Sequence, residues 1–570
     1  MRRTRAVAIL VSIALAAALA GCRGGRDARP ADAAGSAWFE EVAARAGITF
    51  VHTSGHATKH LLPEIMGGGA AVFDFDNDGL LDLYLVQSGT LEPSEREPSE
   101  REPFRRASPT NRLYRNRGNG TFEDVTDRAG AGAAGYGMGV TAGDFDNDGF
   151  TDLYVTNFGS NVLLRNDGRG RFVDVTAKAG VASSGWSTSA AFVDYDADGW
   201  LDLFVTRYLN WQPAAEVECY SLTGVPDYCS PASYDLPSAS TLYHNNGDGT
   251  FTDVSARAGI AGAVGNGLGV VAGDFNGDGR IDLFVANDRT PNHLWLNQGG
   301  GRFQESALAA GTALDQDGTA KSGMGVDAVD VDDDGDLDLL VVNLDGEADS
   351  FFRNRGTFFS DDTAAVGLRT ASRPFTRFGA AFVDFDNDGY LDLFEANGRV
   401  GMQSERYSPD PYAEPSLLFR GLAGPRFLEM LPRGGTSQPL VATSRAAAFG
   451  DIDNDGGVDI VVVNRDGRPY LLHNIVRARG HWLTMRVVDE HGRDAIGAQV
   501  TMKVGGRTIR RDVRAAYSYL ASNDPRVHIG LGAETTAHEV TVRWPDGTTQ
   551  SFGDQPADRV TAIRRAAPSR

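Results

Sequence analysis

The stretch "DFDNDGYLDLF", residues 384–394, places Asp384, Asp386, Asp388 and Asp392 within nine residues, between segments that read as β-strand. Two carboxylates about 4 Å apart repel by roughly 4 kcal/mol at an effective dielectric near 20, so a positive charge is expected among them. In the pattern D-x-D-x-D-G-x-x-D the side chains at positions 1, 3 and 5 converge from one tight loop. Glycine at position 6 permits the turn, position 7 offers its backbone carbonyl, and position 9 adds a last carboxylate. Oxygen-only ligation by a flexible loop suits Ca2+, whereas Mg2+ wants rigid octahedral geometry. Softer transition metals want nitrogen or sulfur. An EF-hand needs a glutamate at position 12 and flanking helices; in the first copy of the pattern that position is Leu85, and the flanks are strands.

The pattern occurs seven times, 50 to 80 residues apart. The expected calcium ligands of the first loop are Asp74, Asp76, Asp78, Leu80 and Asp82, and of the second Asp144, Asp146, Asp148, Phe150 and Asp152. The third offers Asp194, Asp196, Asp198, Trp200 and Asp202, and the fourth Asp274, Asn276, Asp278, Arg280 and Asp282. The fifth offers Asp330, Asp332, Asp334, Asp336 and Asp338, the sixth adds Tyr390 to its four aspartates, and the seventh offers Asp451, Asp453, Asp455, Gly457 and Asp459. Up to seven Ca2+ ions are expected. Asn276 removes one charge from the fourth loop and predicts weaker binding there, while Asp333 and Asp336 add acid to the fifth. The alternative for any single loop is an Asp-Gly turn chosen for backbone geometry. Extracellular calcium modules have dissociation constants on the order of 10⁻⁴ to 10⁻³ M. At millimolar calcium each site then contributes about 0.4 to 1.4 kcal/mol, which favours a structural role.

Each copy has the same neighbours. A small-residue strand such as "GMGVTAG" (137–143) precedes it; an apolar strand, then "VLLRNDG" or "TLYHNNG", then "RFVDVT" or "TFTDVS" follow. Four short antiparallel strands per repeat, with Asn-Gly and Asp-Gly turns, predict a β-propeller; a linear solenoid has shorter, more regular repeats. The seventh repeat lacks its fourth strand, and "WFEEVAARAGI" (38–48) matches that missing piece. An N-terminal strand that completes the last blade would close the ring and hide its edges. The expected fold is all-β: a seven-bladed propeller over 37–475, followed by a small antiparallel β domain over 476–570 with turns at "GG" (505–506) and "PDG" (545–547).

The 570 residues include 69 glycines and carry a formal charge of −22. The glycines fit a turn-rich β protein, and the charge argues against nucleic acid as a partner. "MRRTR" followed by "AVAILVSIALAAALA" is too short an apolar run for a membrane span and suits a signal peptide over 1–21. Its end, "LAGC", resembles the bacterial lipoprotein signal, which implies lipid on Cys22 and membrane attachment; an ordinary secretory signal is the alternative. Residues 22–36 read as a polar tether. Cys219 and Cys229 read as a disulfide in an exported chain. A metal site is the weaker reading, because no histidine or third cysteine accompanies them.

These repeats resemble the FG-GAP/VCBS repeats of integrin α-chain propellers and their bacterial relatives. "RDAIGAQVTM", "SYLASNDPRVHIGLG" and "VTVRWPDGTTQSF" resemble the ASPIC/UnbV domain that follows such propellers in the cartilage-acidic-protein family. Together the resemblance covers nearly all of the chain after the leader. It implies an exported calcium-binding propeller and no agreed activity for the C-terminal domain.

Three insertions, 87–110, 207–239 and 397–415, all follow a second strand and so gather on the face opposite the calcium loops. The second carries Trp211, Tyr220, Tyr228 and Tyr234, and the third Tyr407 and Tyr412. Aromatics on loops over a rigid scaffold suit recognition, or else pack the inserts down. His52, His56 and His60 sit four apart in glycine-rich sequence that argues for a loop; a transition-metal site there is the minor reading. No nucleophile elbow, zinc-protease helix or phosphate-cradling loop is present, and no catalytic residue is assigned. The preferred function is a lipid-anchored envelope module that binds a protein or glycan. The alternative is an exported propeller enzyme acting on polysaccharide or another extracellular substrate.

Overall fold

The computed structural model describes residues 36–91, 110–403 and 407–566. The expected leader, Cys22, nearly all of the tether and most of the first insert lie outside them. Seven blade sheets follow one another along the chain, each with four antiparallel strands, and the first takes a fifth, parallel strand from the C-terminal region. In the second, Tyr136–Gly143 pairs with Asp152–Phe158, which pairs with Val162–Asn166 and then Phe172–Asp174. The seventh is built from Ser444–Gly450, Asp459–Asn464 and Tyr470–Asn474, and its outer strand is Phe39–Glu41 from the other end of the chain. Phe39 faces Asn474 in register, and its ring stands edge-on to Phe385 of the sixth blade at 5.1 Å. The ring therefore closes as the displaced "WFEEV" segment predicts.

A second tie joins neighbouring blades. The third strand of most blades ends in asparagine, and its Nδ2 donates to the position-2 carbonyl of the preceding loop. Asn166 reaches Phe75, Asn245 reaches Phe145, Asn297 reaches Tyr195, Asn354 reaches Phe275 and Asn474 reaches Phe385, at 2.7–2.9 Å. Asn116 reaches Ile452 at 3.0 Å and so joins the first blade to the last. These amides are buried, where an unmade hydrogen bond is expensive, so they fix the order and spacing of the blades. In the sixth blade Gly421 stands at that position.

After residue 475 the chain forms two further sheets around a core that includes Leu483, Val500, Ile509 and Trp544. One pairing in them, His481–Val488 with Arg559–Arg564, is parallel. The expected boundary at 475 does not capture how this region sits. Its residues 513–526 leave the two sheets and enter the propeller axis. Ser518 exchanges two backbone bonds with Val326, at 2.7 and 3.0 Å, and its hydroxyl donates to Ala447 and accepts from the Ala380 amide. Ala521 and Ser522 add a parallel strand to Ala70–Phe73. Asn523 Oδ1 accepts from the Phe449 amide at 3.0 Å. The inner strands must let this segment pass: a Cβ on Gly69 would meet the Leu520 carbonyl at 2.2 Å. Ser518 and Leu520 adopt φ of 76° and 54°, a left-handed conformation rare for such residues.

Candidate functional site

The loops that join the first two strands of each blade share one construction. In the sixth, Asp384 accepts from the amides of Asp388 (3.1 Å) and Gly389 (2.8 Å), and Asp388 accepts from Tyr390 (2.9 Å). Asp392 accepts from Phe385 (2.9 Å) within the loop and from Gly421 (2.8 Å) on the third strand. The remaining loops repeat the contact from the position-5 amide to the first aspartate: Asp78 to Asp74, Asp148 to Asp144, Asp198 to Asp194, Asp278 to Asp274, Asp334 to Asp330 and Asp455 to Asp451. Position 4 is left-handed in every copy, with φ between 55° and 71°. The position-7 residues, among them Leu80, Phe150, Trp200, Tyr390 and Gly457, complete these turns.

Carboxylate oxygens converge. One oxygen from each of Asp74, Asp76 and Asp82 lies within 4.8 Å of the others, as do those of Asp144, Asp146 and Asp152 and of Asp194, Asp196 and Asp198. Burial, with the neighbouring carboxylates adding to it, pushes Asp82 and Asp338 up to about 8 and Asp202 to about 9. Asp384 and Asp392 are driven well above the usual carboxylate range by the same causes. One shielded oxygen on each of Asp76, Asp146 and Asp332 has no hydrogen-bond partner. A set of crowded, desolvated carboxylates with orphaned oxygens fits a hard divalent cation.

The sequence reading missed a base from the third strand. Arg115 Nε lies 2.6 Å from Asp76, Arg165 lies 3.4 Å from Asp146, Arg353 lies 3.2 Å from Asp332, and Arg420 lies 2.8 Å from Asp386. His244 takes this place beside Asp196 and Asp202, and His473 beside Asp459. The signal in the sequence is Arg-Asn or His-Asn before the outer turn in five blades, with Arg420-Gly421 in the sixth. In the fourth blade the position is Leu296, and Arg280 of the loop itself pairs with Asp278.

On the opposite face, the sulfurs of Cys219 and Cys229 are bonded and their Cα atoms lie 5.2 Å apart. They brace a short hairpin whose residues Tyr220, Leu222 and Val225 are 58%, 98% and 47% exposed. Trp211, Tyr228 and Tyr412 are buried, so these three hold the inserts to the scaffold. His52, His56 and His60 lie on a loop, as the glycine-rich context predicts. His52 turns away to Ser88, whereas His56 meets Glu64 at 2.7 Å and stacks near His60. The axis between the two faces is filled by Met138, Leu268, Met324, Phe378 and Leu520, with the Tyr519 ring edge-on to Phe378 at 4.9 Å. No helix among the described residues is long and apolar enough to cross a membrane.

The FG-GAP-like repeat model matches residues 74–155, 144–205, 223–285, 274–341 and 330–395, and the ASPIC and UnbV model matches 488–570. Cartilage acidic protein 1 of Mus musculus is 29% identical over 321 residues, which is 55% of this chain and 46% of the relative. The Homo sapiens protein of the same name is 29% identical and is covered to 45%. The chain thus spans less than half the length of these relatives. Among solved structures, an Agrocybe aegerita lectin that recognises non-reducing terminal N-acetylglucosamine aligns at a TM-score of 0.36 and 16% identity, over 70% of this chain and 86% of the lectin. A Bacillus licheniformis rhamnogalacturonan lyase aligns at 0.31 and 13% identity, over 89% and 92%. With matched repeats running through six of its seven blades and the second model covering its C-terminal sheets, the chain belongs to the FG-GAP-like repeat proteins that carry an ASPIC and UnbV region.

Proposed function

We propose that this protein is an exported, calcium-binding propeller, anchored through lipid on Cys22, that binds a protein or glycan at the cell envelope. The calcium reading is supported by the convergent, desolvated carboxylates of its loops. Calcium would supply the positive charge at each loop; the chain's part is to hold the carboxylates, and to tie the loops to the third strands through the position-9 aspartates. The binding reading rests on one observation above others. The disulfide-braced hairpin offers Tyr220, Leu222 and Val225 to solvent, with Leu222 98% exposed, on a rigid scaffold. Such an apolar tip costs solubility unless something covers it. The enzyme alternative has less support, because side chains and residues 517–522 fill the axis where a propeller active site would open.

The test is binding of the mature chain to an array of bacterial surface glycans and to immobilised envelope proteins, with and without Leu222→Asp. Loss of a specific interaction in the variant, with melting temperature unchanged, is the expected result. A specific ligand whose affinity ignores the substitution would remove the hairpin from the binding surface.

A further inference from the structure

The seven loops form a ring that the propeller closes only in part. Where position 4 is asparagine, its Nδ2 donates to the position-6 glycine carbonyl of the next loop. Asn77 reaches Gly149 (2.8 Å), Asn147 reaches Gly199 (3.1 Å), Asn387 reaches Gly456 (2.8 Å) and Asn454 reaches Gly79 (3.1 Å). Position 4 of the third, fourth and fifth loops is Ala197, Gly277 and Asp333, and no side chain there can make this bond. The three carbonyls left over are taken by arginines of the C-terminal sheets. Arg543 lies 3.4 Å from the Gly279 carbonyl, Arg510 lies 2.7 Å from Gly335 and Arg507 lies 2.8 Å from Gly389. Arg507 also binds Asp333 itself, so it joins the fifth loop to the sixth as an asparagine would.

The same region steadies the asparagines that are present. Arg526 donates to Asn454 Oδ1 (2.7 Å), and His528 Nε2 lies 2.9 Å from Asn387 Oδ1. An arginine-rich face over an acidic one could be plain charge complementarity, but the partners argue otherwise. The clasping guanidiniums meet backbone carbonyls and position-4 side chains, leaving the position-1, 3 and 9 carboxylates to the loop interior. Arg479, on Asp455, is the exception. A contact to a carbonyl survives when a cation neutralises the carboxylates, and it is made only while the loop holds its left-handed turn.

We propose that the C-terminal region is an intramolecular clasp that completes the loop ring at the three links the propeller lacks, so that its seating and cation uptake by the loops reinforce each other. The coupling rests on the calcium reading above. By linkage, removing a clasp arginine weakens calcium at the loops it joins by about fivefold or more.

The experiment is hydrogen exchange on the mature chain at graded calcium, which gives a midpoint for each loop. Arg510→Ala is expected to move the midpoints of the fifth loop's amides, whose Gly335 carbonyl it holds, to higher calcium and leave those of the first and second loops in place. Gly277→Asn, which installs the missing asparagine at a φ of 71° that asparagine tolerates, is expected to restore them in the Arg510→Ala background. Arg543→Ala with Ala197→Asn repeats the design one link earlier and serves if the first variant does not fold. Calcium-dependent protection that ignores the arginines, or no rescue by asparagine, overturns the clasp alone. Loops indifferent to calcium in the parent chain overturn the clasp's coupling and the calcium reading together.

Discussion

The seating of residues 513–526 in the axis can be tested by a charge pair made only there. Asp327, on the inner strand of the fifth blade, is fully buried and accepts from the amides of Ala328 and Phe382 at 2.8 Å, as well as from Arg514. Arg514 also lies 4.2 Å over the Tyr517 ring. Removing one partner of a buried pair costs about 3–5 kcal/mol, because the other charge stays buried alone. For Arg514→Met the cost falls near the lower end, about 3 kcal/mol, since two amides still support the carboxylate. Asp327→Asn leaves the guanidinium without a counter-charge and costs a similar amount. The double variant has no stranded charge, so its cost stays well below the sum, with a coupling of about 2–3 kcal/mol. The assay is urea unfolding of all four chains in saturating calcium, which keeps loop occupancy constant. Additive costs would refute the pairing, and with it this account of how the C-terminal region is held in the axis.

Two further outcomes follow from the loops and the core. Chelating calcium from the mature chain is expected to lower stability by roughly 3–10 kcal/mol in total, reversibly, if seven sites of extracellular affinity are emptied; a melt indifferent to chelator would make the loops turns. Glu395 is fully buried beside Asp349 and Arg377, and burial followed by the Asp349 charge holds its carboxyl well above the usual range. An acid whose folded pKa is raised contributes stability fully below its unfolded value near 4.5 and loses it as pH climbs towards the folded one. Glu395→Gln should therefore gain on the parent by about 1.4 kcal/mol per pH unit above that value; parallel stability curves from pH 5 to 9 in constant calcium would show that burial does not raise the Glu395 carboxyl.

The blades were legible because their signal is periodic and local: seven loops at similar spacing, strands of alternating character, and a fourth strand displaced to the N-terminus. The axial segment was not legible. "SYLASND" has no periodicity, its partners lie some 70 to 450 residues earlier in sequence, and its turns are left-handed at serine and leucine, types that do not advertise such turns. The inserts were ambiguous for another reason. Tyrosine and tryptophan serve equally as anchors and as contact surface, and only packing separates the buried Trp211, Tyr228 and Tyr412 from the exposed Tyr220.

Counting acids in a loop gives its candidate ligands but not its charge, because most of the neutralising groups come from elsewhere in the chain. In the first loop four aspartates face one arginine from the third strand, Arg115. The fourth loop loses an acid at Asn276 and its strand base at Leu296, which would cancel, yet Arg280 returns a cation from within the loop. It therefore remains one negative charge short of the first, and weaker cation binding there is the expectation a per-loop calcium titration would test. The fifth loop moves the other way. Its extra Asp333 is bound by Arg507, so half of the charge added by Asp333 and Asp336 is already paired with the C-terminal sheets. Where a loop departs from the repeat, a compensating charge lies within it or beside it, and the net charge of each loop is a property of the loop together with the strand and the C-terminal sheets that flank it.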